Sequence, residues 1–184
     1  MTVRKMRASD ILQVEKICID TATSDFCREN PEQTLINYNR YYTRQGIDDC
    51  FVTVDENDRA VGYILCASDF KTFAKGFAKH ELRDASRFGV SAFFLALSQI
   101  LSPLPFRKRF SAHMHIDILD DYQRCGRGHE LVDALVSHLR EKGVKGLMLA
   151  VAKDNIKGVS FYKKYGFEVI KDVAGSFVMG LEIK

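Results

Sequence analysis

The sequence predicts a mixed α/β fold: a central β-sheet of about seven strands with helices on both faces. Three observations predict it. Short β-branched or aromatic runs alternate with amphipathic helical stretches along the chain. Two of those runs, Cys50 to Val54 and Ala60 to Ala67, flank the turn Asp55-Glu56-Asn57-Asp58, a hairpin signal that adds antiparallel pairs to the sheet. The length of 184 residues, with 46% hydrophobic and 28% charged side chains, suits one globular domain over residues 1–184.

The elements follow in order. Val3 to Arg7 reads as a first strand, and Ser9 or Asp10 caps a helix whose inner face is Ile11, Leu12, Val14, Ile17 and Cys18. Pro31 opens a second helix running to about Gln45, with Leu35, Ile36, Tyr38 and Tyr42 as its apolar set. The hairpin comes next. Lys71 to Arg87 mixes charge and aromatics and reads as helical. Ser91 to Leu101 is a helix apolar nearly all round, which implies burial in the core or against another subunit. Pro103 and Pro105 end it, and Arg107-Lys108-Arg109 reads as a solvated loop. Ser111 to Leu119 alternates as a strand, and Asp120 to Gly128 forms a loop. The helix Arg127 to Lys142 carries the stripe Leu131, Val132, Leu135, Val136 and Leu139, and Gly143 stops it. Leu147 to Val151 is a strand and Ile156 to Tyr165 a helix ended by Gly166. Phe167 to Ile170 and Ser176 to Ile183 close the sheet.

Composition excludes several classes. The chain is too apolar to be disordered and has no fibrous repeat. Its net charge of +3 tolerates an anionic ligand without demanding nucleic acid. Its longest apolar run, Ala92 to Leu101, falls far short of the roughly 20 residues that span a bilayer. The five cysteines, Cys18, Cys27, Cys50, Cys66 and Cys125, are widely spaced with no CxxC pair. Neither a metal site nor a disulfide framework is expected, and reduced thiols suit a cytoplasmic protein. The basic residues of 1–7 precede no apolar stretch, so no signal peptide is expected.

The segment that carries chemistry is Gln123-Arg124-Cys125-Gly126-Arg127-Gly128, between a strand and a long helix. Two glycines let the backbone approach a ligand and aim several N–H groups one way. The helix adds its positive end, which makes a cradle for phosphates with Arg124 and Arg127 at the rim. The sequence contains neither GxxxxGK[ST] nor GxGxxG, so nucleotide-hydrolase and dinucleotide loops are excluded. Downstream lies Asn155-Ile156-Lys157-Gly158-Val159-Ser160-Phe161-Tyr162-Lys163-Lys164-Tyr165-Gly166-Phe167.

This pair of motifs resembles the GNAT N-acetyltransferase family, whose loop reads [QR]-x-x-G-x-[GA] and whose later segment reads N-x-x-A-x-x-x-Y-x-x-x-G-F. Here Gly158 replaces the alanine, and Asp120 stands where the family usually has a proline. The firm resemblance covers residues 111–170. The strand Ala112 to Leu119 also resembles acetyltransferase-like domains related to O-GlcNAc hydrolases. The resemblance implies a fold in which the fourth and fifth strands splay apart. It implies acetyl-CoA as acyl donor, with pantetheine along Ile118 and Leu119, pyrophosphate on the N–H groups of Arg124, Cys125, Gly126, Arg127, Gly128 and His129, and Gln123 as a further cofactor-binding residue of the loop. It also implies Asn155 on the pantetheine arm and Tyr162 as the acid that protonates the departing thiolate. Asn155 has an alternative role as a helix cap and Tyr162 as a core residue.

The implied reaction is direct transfer to a primary amine of a small molecule, an amino sugar or a protein. Such an amine must first lose a proton. His113, His115 and Asp117 lie two apart on one strand and share a face unless a bulge intervenes, so Asp117 and His115 are the candidate bases, as a pair or a short relay. Glu81 is an alternative base. Cys125 is read as a spectator, since direct transfer needs no acyl-enzyme. Asp20, Asp25 and Glu29 are acids that would draw a cationic amine. A homodimer is compatible with the pattern. Two other readings stay open: a non-catalytic acyl-CoA-binding module that keeps the loop and lacks a base, and a cofactor-free interaction domain that uses Phe93 to Leu101 as its surface.

Overall fold

The computed structural model describes residues 2–184. Among them the strands are β1 (Thr2–Lys5), β2 (Phe51–Val54), β3 (Ala60–Ala67), β4 (Ala112–Ile118), β5 (Gly146–Ala152), β6 (Glu168–Val173) and β7 (Ser176–Glu182). They form one sheet in the order β1-β2-β3-β4-β5-β7-β6. Every neighbouring pair is antiparallel except β4 and β5. β3 and β4 keep one register from Gly62 opposite Ile118 to Ala67 opposite His113. β4 and β5 pair in parallel only at Ala112 with Leu147 and His113 with Met148, and then part. β5 instead pairs along its whole length with β7.

Alternation along the strands builds two cores. Val52, Val54, Tyr63 and Leu65 face one way, toward α1 (Ile11–Asp20), α3 (Pro31–Tyr38), α4 (Arg40–Arg44) and α5 (Phe70–Lys79). Ile64, Cys66, Met114, Leu147 and Leu149 face the other way, toward the apolar stripe of α8 (Arg127–Glu141) and toward Phe161, Tyr162 and Tyr165 of α9 (Ile156–Tyr165). The sheet with helices on both faces therefore stands as the sequence predicts.

Several boundaries differ, each for a local reason. The helix expected from Pro31 to Gln45 breaks at Asn39, whose backbone leaves the helical region (φ −132°, ψ −56°), so α3 and α4 are separate. Asn competes with helical backbone bonding, and here its Oδ1 accepts from Thr43 Oγ1 at 3.3 Å. A short helix, α2 (Asp25–Glu29), was not foreseen; Ser24 Oγ caps it by accepting the Cys27 N–H at 3.2 Å. The expected helix 71–87 is two, α5 and α6 (Glu81–Ala85), and Asp69 caps the first through the Thr72 N–H at 2.8 Å. β6 runs three residues beyond its expected end. The cap expected from Ser9 or Asp10 is a clasp by Asp10, whose carboxylate accepts the Arg7 N–H at 2.8 Å and the Arg4 guanidinium at 2.7 and 3.0 Å.

The apolar helix α7 (Val90–Leu101) is not buried all round. Ala92 and Ala96 are buried, but Val90, Phe94 and Leu101 are 73%, 61% and 52% exposed. It packs on α3, α5 and α6 instead of on the sheet, so only one stripe is covered. No helix among the described residues is long and apolar enough to cross a membrane.

Away from the splayed strands, Asp49 ties the sheet to the last turn of α8. It accepts from Ser68 Oγ at 2.5 Å, Lys142 Nζ at 2.6 Å and His138 Nε2 at 2.8 Å. Burial raises its pKa, but these three donors outweigh burial and hold the carboxyl below its usual range. The stabilisation is therefore complete above the unfolded carboxyl's pKa, about 4, and is lost as pH falls below it. Asp49→Asn is expected to cost on the order of 2–3 kcal/mol in urea unfolding at pH 7, with the difference from the parent shrinking below pH 4. Glu81 has the opposite sign. It is 4% exposed, with Gln45 Nε2 at 3.2 and 3.3 Å from its two oxygens, and burial pushes its pKa up to about 7. Between pH 4.5 and pH 7 the unfolded chain ionises this group while the fold keeps it largely protonated, so stability falls over that range. Glu81→Gln should be on the order of 2–3 kcal/mol more stable than the parent at pH 8, a gain absent at pH 4.5 in the same assay.

Candidate active site at the parting strands

The site begins with the backbone of β4. Its unbroken register with β3 contains no bulge, so His113, His115 and Asp117 do share one face. The Leu119 N–H donates to the Val61 carbonyl at 3.0 Å, so odd-numbered residues turn their hydrogen-bonding groups toward β3. Met114, Ile116 and Ile118 turn theirs the other way, where β5 still reaches Met114 through the His113–Met148 pair and has left Ile116 and Ile118. Leu119, expected beside Ile118 at the open edge, is therefore replaced there by Ile116. Strand alternation alone would have found it. The Ile118 carbonyl accepts from Gln123 Nε2 at 2.8 Å, which leaves its N–H on the open edge.

The loop beyond β4 is braced from within. Gln123 also donates to Asp120 Oδ1 at 2.9 Å, and Arg127 donates to the Tyr122 carbonyl at 2.8 Å while lying over the Tyr122 ring. Arg124 (φ +63°) and Gly126 (φ +82°) hold left-handed backbone, and Gly126 directly precedes α8. A side chain at Gly126 would meet nothing within 4 Å, so the space above the loop is open. A Cβ at Gly128 would lie 3.1 Å from the Phe161 ring, so this glycine lets α9 close on the first turn of α8. The N–H groups that open a helix have no partner within it. Two of the loop residues expected to bind the cofactor spend their N–H groups within the loop: that of His129 donates to the Gly126 carbonyl at 2.9 Å and that of Gln123 to the Asp120 carbonyl at 3.2 Å. The His129 ring packs on Phe161 and Tyr165. Cys125 is exposed, with Sγ 3.4 Å from the Gln123 carbonyl.

Asp117 and the two histidines do not form a relay. Asp117 sits opposite Tyr63, whose buried hydroxyl donates a short hydrogen bond to Asp117 Oδ2. His113 and His115 both turn to Tyr42, with Nε2 at 2.8 and 3.1 Å from its hydroxyl. One hydroxyl has one proton, so one imidazole donates to Tyr42 and the other accepts from it. Burial pushes their pKa values down to about 3 and about 4, and both are neutral at physiological pH. Burial pushes Asp117 up to about 6, with Tyr63 and Thr21 working against it. Of the three, only Asp117 is poised near neutrality.

Tyr162 lies on α9, its ring against Phe161 and Phe167 at 5.3 and 5.7 Å between centroids. Burial first, and the charge of Asp117 second, raise its hydroxyl pKa above the ordinary value, so it keeps its proton. Asn155 caps α9, its Oδ1 accepting the Gly158 N–H at 2.9 Å. A Cβ at Gly158 would lie 2.8 Å from Asn155 Nδ2, so the glycine that replaces the motif alanine lets this amide fold onto the helix.

The acids expected to attract an amine are mostly neutralised: Asp20 pairs with Lys16 and Asp25 with Arg28, both at 2.5 Å. Glu81 sits with Gln45 and Tyr41, apart from Asp117's neighbours. Among the described residues no cluster could hold a metal ion.

This architecture recurs in solved structures. The crystal structure of SsHAT superposes with a TM-score of 0.90 at 26% identity, covering 100% of this chain and 98% of that one. The PaiA N-acetyltransferase of Thermoplasma acidophilum in complex with coenzyme A gives 0.63 at 13% identity, covering 98% of both chains. The NatC complex bound to Gag peptide and CoA also gives 0.63 at 13%, covering 100% and 98%. Residues 15–167, from within α1 to just past α9, match the acetyltransferase (GNAT) family, and the chain belongs to that family.

Proposed function

We propose that the chain is an acetyl-CoA-dependent N-acetyltransferase that passes the acetyl group directly to a primary amine of a small molecule, an amino sugar or a protein. The observation that carries this reading is the parting of β4 from β5 after two paired residues, beside a loop that opens α8 with left-handed backbone at Arg124 and Gly126. Such a gap offers a strand edge to an amide-bearing arm and a helix N-terminus to phosphates.

The residues present fit that ligand. The N–H groups of 124–128 and the positive end of α8 suit a pyrophosphate, with Arg124 at the rim. The backbone of Ile116 and the Ile118 N–H suit the amides of pantetheine. Asn155 Nδ2 is the cap's remaining donor, on the same side as the loop's partner helix α9. Acetyl-CoA, when bound, supplies an activated acyl group as its thioester. Asp117 takes the proton that an ammonium acceptor must lose, since its pKa near 6 lets it hold a proton transiently at neutral pH. His115, about two units less basic, stays neutral and orients the acceptor through hydrogen bonding. Tyr162 keeps its proton until the sulfur departs and then gives it up. The likenesses to the PaiA N-acetyltransferase in complex with coenzyme A and to the NatC complex bound to CoA support this reading.

Acetyl-CoA at about 100 times its Kd is expected to raise the Tm by about 5–10 °C, with ATP and NAD as inert controls. Gly126→Val should erase the shift, because the left-handed backbone at 126 resists a β-branched side chain. With an accepted amine from a panel assayed by thiol release, Asp117→Asn should lower kcat/KM about 10²–10⁴-fold while the acetyl-CoA shift persists. In the parent, kcat/KM should rise with pH through a limb near 6, as Asp117 loses its proton. A flat profile there, or a fully active Asp117→Asn, would remove Asp117 from the role of base.

A further inference from the structure

Asp117 has neighbours on every element packed against it. They are Tyr63 from β3, Cys18 and Thr21 from α1, Tyr162 from α9, and His115 on its own strand. None of them carries a charge at neutral pH, and among the described residues no Lys or Arg acts on the carboxylate. Its orientation must therefore come from neutral hydrogen-bond donors. Thr21 also favours the charged form, but less than Tyr63 does, and its hydroxyl lies 2.7 Å from the Ile17 carbonyl, to which it donates. Tyr63 is different. Its ring is fully buried, it faces Asp117 across the β3–β4 ladder, and its hydroxyl donates to Oδ2. Burial and the nearby Asp117 charge raise its own pKa well above the usual tyrosine range, so it remains a donor across the working range. The Cys18 thiol lies against it from α1.

We infer that Tyr63 is a positioning residue for the reaction: its buried hydroxyl fixes Oδ2 of Asp117 and leaves the second carboxylate oxygen to receive the acceptor's proton. The inference rests on the reading of Asp117 as base. Tyr63 itself has no exposed surface and touches no substrate. It acts through Asp117 in two ways. It stops the carboxylate from rotating, and it favours the charged form against the burial that disfavours it. Without the hydroxyl the carboxylate would hold its proton to higher pH, and the fraction able to serve as base at neutral pH would fall.

The test uses Tyr63→Phe, which keeps the ring in the core and removes only the hydroxyl. The first readout needs no acceptor. In protein labelled with ¹³C at the aspartate carboxyls, the Asp117 resonance is identified by its absence from Asp117→Asn. Its titration midpoint is expected to rise by about one pH unit in Tyr63→Phe and by clearly less in Thr21→Val. The acid limb of kcat/KM should move up by the same amount, with the KM for acetyl-CoA unchanged. A merely structural role for Tyr63 would lower stability without moving either midpoint. An unmoved Asp117 midpoint in Tyr63→Phe, or an equal rise in Thr21→Val, overturns the inference while leaving Asp117 as base. If Asp117→Asn retains full activity and its acid limb, the base assignment itself fails, and Tyr63 loses its catalytic role even where the carboxyl titration shifts.

Discussion

The molecule is organised around a parallel strand pair that holds for two residues and then fails. β3 holds β4 through six residues in register, and β7 holds β5 through seven. Each of the two strands is thus paired along one edge, and the parallel pairing across the other edge stops after two residues. The consequence is an open edge at Ile116 and Ile118 inside a folded protein, which is a costly arrangement without a partner. The chain answers part of that cost internally, through Gln123 on the Ile118 carbonyl. The rest faces the loop that starts α8, whose own first N–H groups lack partners because no helical turn precedes them. The two sets of unpaired groups lie end to end, and that is what makes a site of the gap.

One physical effect, burial, then acts oppositely on the chemistry of β4. Desolvation favours the neutral form of any ionisable group. For His113 and His115 this lowers the pKa far below neutrality and removes them as bases, leaving two imidazoles bound to one Tyr42 hydroxyl. For Asp117 the same effect raises the pKa into the range where a carboxylate can trade protons at neutral pH. Three residues that look like one relay in the sequence are therefore two structures, a rigid aromatic–imidazole cluster and a single carboxyl with its own donor.

Much of this was legible in the sequence. The strands, the stripe of α8 and the Gln123 to Gly128 loop depend on local periodicity and on backbone requirements of particular residues, and these survive translation into structure. The shared face of His113, His115 and Asp117 followed from strand alternation. What was not legible depends on partners distant in sequence. The tyrosines Tyr42 and Tyr63 gave no signal, because nothing local distinguishes a core tyrosine from one that holds a functional side chain. The exposure of α7 reflects that α3, α5 and α6 are its neighbours instead of the sheet. The neutralising of Asp20 and Asp25 is an exception, since Lys16 and Arg28 stand at helical spacings of four and three and were open to being read.

The two proton-transfer roles in the proposed reaction fall on different elements. Asp117 belongs to β4 and Tyr162 to α9, and the parted strands run between them. Their environments push both pKa values up, but from different starting points. Asp117 reaches a value where it is mostly ionised at neutral pH, and Tyr162 moves further into the range where it is fully protonated. The result is a proton acceptor and a proton donor, both in the correct state before any ligand arrives. The ionised Asp117 also strengthens Tyr162's hold on its proton. In the proposed reaction, a proton taken up by Asp117 would remove that charge, so acceptance on β4 would ease donation from α9 with no hydrogen bond between the two residues.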